Sequence, residues 1–332
     1  MKGKTLVSIV MPVFNMASYV GDSIQSVLNQ SYPYWELIVI DDGSTDNSLE
    51  IVELFAEKDK RISFYTQKNH GVAHARNRGV DLSNGEYLVF LDSDDTWANN
   101  FLEVMLATIR NNEYGMAFCK YQKVKNQKVI EQTPLSLVGL PNESFADYLL
   151  NNQINSYAVM ATIYKLNFIQ ENRIKFTEGC SLGEDFEFVF KVASQAKVAF
   201  CSEYLYQYNY REDSAYHSKI TYKKMIDRIS AYERAYQFVL QRGVIDKEKW
   251  LSYISINLND FRNSLKRSLW KSLHEQQYDE VLKALQLYGR PLMVSSRKYQ
   301  YLIDRFKLFI INSKNVSLWR IIFSICGLKK KS

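Results

Sequence analysis

The sequence predicts an α/β fold: a mostly parallel, Rossmann-like sheet flanked by helices, followed by an α-helical C-terminal region. Three observations carry this. Over the first hundred residues, apolar strand-like runs alternate with segments of helical period, the pattern of βαβ units. The strand-like runs are nearly continuous in apolar residues, as parallel strands buried on both faces are. From about Thr221 onward, Tyr, Leu and Ile recur at helical intervals among many Lys and Arg, with almost no Gly or Pro.

The elements follow in order. "LVSIVMPVF" reads as a strand, and "SYVGDSIQSVLNQ" as a helix with Tyr19, Val20, Ile24, Val27 and Leu28 on its apolar face. "ELIVIDD" is the second strand. "STDNSLEIVELFAEKD" is a helix with Ser, Thr and Asp available to cap it. "RISFYTQ", "GVAHARNRGVDLS" and "EYLVFLD" continue as strand, helix, strand. The pattern is mixed from about Phe101 to Tyr210, but "LGEDFEFVFKVASQA" predicts an amphipathic helix and "KVAFCSEYLYQY" the strand after it. A domain change falls near 215–222, dividing the chain into 1–218 and 219–332.

Composition narrows the function classes. The 332 residues are 46% hydrophobic and 23% charged, a globular balance without repeats or low-complexity tracts. Cys119, Cys180, Cys201 and Cys326 lie far apart and form no CxxC pair. That favours a reducing compartment and argues against structural zinc. The opening residues run straight into a strand rather than a secretory signal, and no apolar stretch predicts a membrane span. The net charge is +6, and from Arg290 onward ten Lys or Arg face one acid, Asp304. Such a block suggests an anionic surface as partner. No nucleic-acid module is present. Neither GxGxxG after the first strand nor GxxxxGK[ST] occurs, which argues against dinucleotide enzymes and P-loop NTPases.

Ligands of such sheets bind beyond the carboxyl ends of the strands. Pro12 to Asn15, Asp41 and Asp42, and Asp92 to Asp95 all fall there. Asp92 and Asp94 of "LDSDD" can present oxygens to one hard cation, with phosphates filling the remaining positions. A solvated acidic turn is the plainer alternative, and the position at the ligand edge favours the cation. Asp41 to Asp46 read as a turn capping the next helix, with Asp46 as cap and Asp42 free to accept from a base N–H. Arg76, one turn after Val72, either points inward to grip a pyrophosphate or joins an exposed cationic face. Glu184 and Asp185 begin a helix, where acids are stabilised by the dipole. They also suit a general base, and spacing does not decide between the two.

Taken together, "VSIVMPVFN", "SVLNQSYPYWELIVIDDGSTDNS", "GVAHARNRG", "GEYLVFLDSDD" and "GEDFEF" resemble the family-2 glycosyltransferases of the GT-A fold, over about residues 6 to 210. Each motif is weak alone; five in register are specific. The resemblance implies inverting transfer from a nucleotide-activated sugar, usually UDP-linked, with Mn²⁺ or Mg²⁺. It implies that Pro12, Phe14, Asn15, Asp42, Arg76, Asp92 and Ser93 bind the nucleotide-sugar. Asp94 and Asp92 would be metal ligands, Asp94 foremost, with His217 the candidate for a third. Asp185 would be the base, beside Glu184. Trp97 is open between stacking on a sugar and packing on the next helix.

The tail "NVSLWRIIFSICGLKKKS" suits either an interfacial helix drawn to anionic lipid or a last core helix with a solvated Lys end. These readings converge on a cytoplasmic transferase, peripheral on the inner face of the membrane. Its acceptor would be a glycan or lipid-linked glycan of a surface polysaccharide. Two other classes stay open: a nucleotidyltransferase or nucleotide-sugar hydrolase on a similar sheet, and a non-catalytic nucleotide-sugar-binding scaffold.

Overall fold

A computed structural model describes residues 4–110, 114–125, 128–132, 159–211 and 222–242. The first part is the predicted alternation: β1 (Val7–Val13), α1 (Val20–Leu28), β2 (Trp35–Asp41), α2 (Ser48–Lys58), β3 (Ile62–Thr66), α3 (Val72–Leu82) and β4 (Tyr87–Phe90). The second part holds β5 (Thr96–Trp97), α4 (Phe101–Ile109), β6 (Tyr114–Lys125), β7 (Lys128–Gln132), β8 (Thr162–Lys165), α5 (Leu166–Glu171), α6 (Glu184–Ala193), β9 (Lys197–Asn209) and α7 (Tyr222–Gln241).

All nine strands form one sheet in the order β3-β2-β1-β4-β8-β6-β9-β5, with β7 on β6. Strands β3, β2, β1 and β4 are mutually parallel. Strand β8 then runs antiparallel to both β4 and β6. The sheet is therefore parallel in its first half and mixed in its second, which strand counting along the sequence does not reveal.

Both faces are covered, as the apolar runs predict. Val7, Ile9, Met11 and Val13 of β1 enter one core with α1, α2 and α4. Val10, together with Leu88 and Phe90 of β4, enters the other with α3, α6 and α7. The period of two thus serves two cores at once. Helix α3 crosses β1 so closely that a Cβ on Gly79 would lie 2.2 Å from Val10 Cγ1. Strands β3 and β7 are exceptions: in β3 only Ile62 is buried, with Phe64 and Tyr65 exposed, and β7 is exposed throughout, because both lie at the sheet's margins.

Pro12 lies inside β1 rather than after it. The β1–β4 ladder ends at Val10↔Phe90, so the N–H that Pro12 lacks costs no ladder bond there.

Candidate active site

The parallel strands deliver their ends to one edge, and the turns there are built from polar side chains. After β1 the chain turns at Asn15, with φ of 54°, and the Asn15 Oδ1 accepts from Thr45 N–H at 2.8 Å. Phe14 stands exposed beside it, while Pro12 is buried. After β2, Asp46 accepts from the N–H groups of Ala17 and Ser48, but the cap position of α2 is Asn47, so Asp46 braces the turn one residue ahead of the cap rather than capping the helix itself. Asp42 is not free. Its carboxylate is buried and already accepts from Gln67 Nε2 (2.7 Å), His70 N–H (2.9 Å) and Gly71 N–H (2.7 Å).

Strand β4 ends in a tight turn, with Asp95 N–H donating to Asp92 O. The chain then enters β5, which pairs with the far end of β9 through Thr96↔Gln207 and Trp97↔Tyr206. This turn gives the four residues different duties. Ser93 is buried. Asp95 is fully enclosed, bonded by the Tyr206 hydroxyl and by Asn209 N–H. Burial, with the charges of Asp94 and Asp92, raises its pKa well above the usual range. Asp95 is therefore the anchor of the turn, while Asp92 and Asp94 keep partial exposure, at 24% and 15% of their side chains.

Each of those two meets an arginine. Arg211, two residues beyond β9, approaches Asp94 Oδ2 with Nη2 at 2.6 Å and Nε at 2.9 Å. Burial and the neighbouring Asp92 raise the Asp94 pKa, and Arg211 offsets part of this. Arg76 points inward from α3, its side chain 4% exposed, although Val72, one turn earlier, is exposed. Its Nη2 donates to Asp92 Oδ1 at 2.9 Å, and its Nη1 lies 3.7 Å from Glu184 Oε1. The Nε and Nη1 of Arg76 make no hydrogen bond among the described residues. Arg76 thus ties the β4 turn to the first turn of α6.

Glu184 and Asp185 open α6, after Gly183 in the left-handed region. Burial first, and the Asp185 charge second, raise the Glu184 pKa to about 7; Arg76 pulls the other way. Asp185 is partly exposed, and one of its oxygens accepts from Phe186 N–H. Trp97 packs on the next helix: it is buried and stacks on Phe101 at 4.3 Å. His217 and the basic tail lie outside the described residues. No described helix is long and apolar enough to cross a membrane.

The oxygens of Asp92, Asp94 and Asp95 lie within 4.8 Å of one another. Three acids so placed, two with raised pKa and two meeting an arginine, fit a cation-binding role. The fold therefore brings Asp92, Ser93, Asp94, Arg76, Glu184 and Asp185 together, with Pro12, Phe14, Asn15 and Asp42 along the same edge. Tyr206, Asn209 and Arg211 were not anticipated. Arg211 stands 117 positions from its partner, and no local pattern marks it.

A parallel sheet with carboxylates at its ligand edge, facing a second acid pair, defines an enzyme-like site for a phosphorylated ligand. The profile of the family "Glycosyl transferase family 2" matches residues 8–169. An uncharacterized glycosyltransferase of Haemophilus influenzae is 40% identical over 166 residues, 50% of this chain and 64% of that protein. TuaG of Bacillus subtilis, a glycosyltransferase named for teichuronic acid biosynthesis, is 34% identical over 175 residues, covering 52% and 68%. The matched stretch thus spans about two thirds of these relatives' length. S. aureus TarS 1-349, solved in complex with UDP-GlcNAc, shares the fold at a TM-score of 0.66 and 20% identity, covering 87% of this chain and 81% of that 1-349 chain. The chain belongs to glycosyltransferase family 2 and has the GT-A-type fold.

Proposed function

We propose that this chain is an inverting glycosyltransferase. It moves a hexose or N-acetylhexosamine from a UDP-sugar to a hydroxyl of a glycan or lipid-linked glycan in surface polysaccharide synthesis. The observation that carries this is the meeting of two acid pairs through Arg76: Asp92 and Asp94 on one side, Glu184 and Asp185 on the other. The UDP-GlcNAc held by TarS and the teichuronic acid role in the name of TuaG support the donor and the setting.

Asp94 and Asp92 would hold Mn²⁺ or Mg²⁺. When bound, such an ion supplies Lewis-acid stabilisation of the departing diphosphate. Arg211, on Asp94, supplies cationic charge at the same place. Phe14, Asn15 and Ser93 lie where the nucleotide would rest, and Pro12 shapes the strand end beneath it. Asp42 serves the nucleotide pocket through the loop it braces, Gln67 to Gly71.

Asp185 is the base. The acceptor oxygen attacks the anomeric carbon as the bond to the diphosphate breaks, and its proton passes to Asp185. One displacement inverts the centre, so no enzyme nucleophile is required. Glu184, with its raised pKa and its place beside Arg76, keeps the charge of the acid pair low. The basic tail would bring the site to an anionic membrane surface carrying the acceptor.

The test is calorimetry of UDP against GDP, CDP and dTDP, with and without Mn²⁺, followed by transfer assays on Asp185→Asn. Mn²⁺-dependent UDP binding is expected. Asp185→Asn is expected to lose about 10²–10⁴-fold in turnover, the range for general-base catalysis, with UDP affinity intact. Absence of nucleotide binding sinks the reading.

A further inference from the structure

The segment that carries the base is held by helix α7, and both lie beyond the family-matched residues 8–169. Its conformation is unusual. Gly179 has φ of +72° and Gly183 of +98°, in the region that favours glycine. Asp227 of α7 accepts from both the N–H and the hydroxyl of Ser181. Lys223 Nζ donates to Gly179 O at 3.1 Å. A Cβ on Gly183 would lie 3.0 Å from Ala231 Cβ and 3.3 Å from Arg228 Cα, so the helix presses directly on the residue before Glu184.

A second fastening lies one turn further on. Glu187 is fully buried. One of its oxygens accepts from Thr177 Oγ1 at 2.9 Å and from Lys191 Nζ, and the other from Arg234 Nε at 2.8 Å. A buried carboxylate with three donors, two of them cationic, has one stable orientation. Glu187 follows Asp185 by two residues, so this orientation sets the rotation of the turn that presents the base. The Phe186 ring, between them, lies 4.6 Å from Tyr232.

We propose that Asp227 and Arg234 are positioning residues for the base. They hold the Gly179–Glu187 turn so that Asp185 meets the acceptor hydroxyl, and α7 thereby becomes part of the catalytic unit. The proposal rests on Asp185 being the base.

The experiment uses the full chain with Asp227→Asn, Arg234→Met, Arg234→Lys and the mild Ser181→Ala, which leaves α7 intact. Hydrogen exchange of residues 179–187, UDP affinity and the rate of UDP release from the UDP-sugar are measured for each. Expected are faster exchange in 179–187 in all four and UDP affinity within about twofold of the parent. Turnover should fall about tenfold to hundredfold for Arg234→Met, the scale of a misplaced catalytic group. It should recover in part in Arg234→Lys. Unchanged exchange in folded variants, or faster exchange with unchanged turnover, overturns the proposal. A parent chain that binds no UDP sinks the transferase reading instead, and exchange still decides whether α7 holds the turn.

Discussion

The two halves of the sheet solve different problems. Strands β1 to β4 are parallel and joined by helices, and the turns after β1 and β2 each bond to the next unit of the alternation. Asn15 reaches Thr45, and Asp42 reaches Gln67 to Gly71. The half built from β5 to β9, α6 and α7 joins segments far apart in the chain. Asp95 meets Tyr206, Arg76 meets Glu184, and Glu187 meets Arg234. The turns after β1 and β2 are thus a property of the repeating unit, whereas the β4 turn and the start of α6 gain their partners only after long-range closure.

Three measurements sharpen this contrast. The largest effect is expected in the core beneath the first turn of α6. Phe188 is fully buried, stacked on Phe176 at 4.0 Å and edge-on to Phe90 and Tyr164. Phe188→Ala is expected to cost about 3–5 kcal/mol in denaturant unfolding, as large-to-small changes in well-packed cores do. A cost below about 1 kcal/mol, the range of surface changes, would mean that this cluster is not a packed core.

Next is the cation site. Arg211→Ala frees Asp94 from its guanidinium, so Mn²⁺ added without nucleotide should bind about tenfold more tightly, equivalent to ~1.4 kcal/mol. Calorimetry with the metal alone reads this. Weaker Mn²⁺ binding would place Arg211 in support of the cation rather than in competition with it.

The smallest effect is in pH dependence. The folded-state pKa of Glu184 is raised from 4.5 to about 7, by burial and then by Asp185. A group raised on folding binds its proton more tightly in the native state. Its contribution is complete below the unfolded value and is lost as the pH climbs to about 7. Glu184→Gln should therefore flatten the fall in melting temperature between about pH 5 and 7. A parallel slope in both proteins would show that Glu184 does not titrate there.

The strands and helices of the first half were legible because burial on both faces leaves near-continuous apolar strands, and covering helices leave a helical period. The acids of the β4 turn were legible because topology places strand ends at a ligand edge. Other features were not. Asp42 reads as a free acceptor, but Gln67, His70 and Gly71, 25 to 29 positions further on, donate to it. Val72 suggested the buried face of α3, yet Val72 is exposed and Arg76 is inward. The antiparallel β8 is invisible locally, since an apolar run carries no direction.

By itself, the sequence determined which segments of the first hundred residues become strand and helix, which residue types gather at the sheet edge, and the family to which the chain belongs. These follow from local periodicity, turn chemistry and motif order. Only the tertiary structure decided which acid is an anchor and which is open, with Asp95 enclosed by Tyr206 and Asp94 held by Arg211. It also decided that Arg76 bridges the two acid pairs and that α7 fastens the segment from Gly179 to Glu187. The reason is physical: a carboxylate's role depends on its burial and on the donors that reach it, and here those donors arrive from more than a hundred residues away.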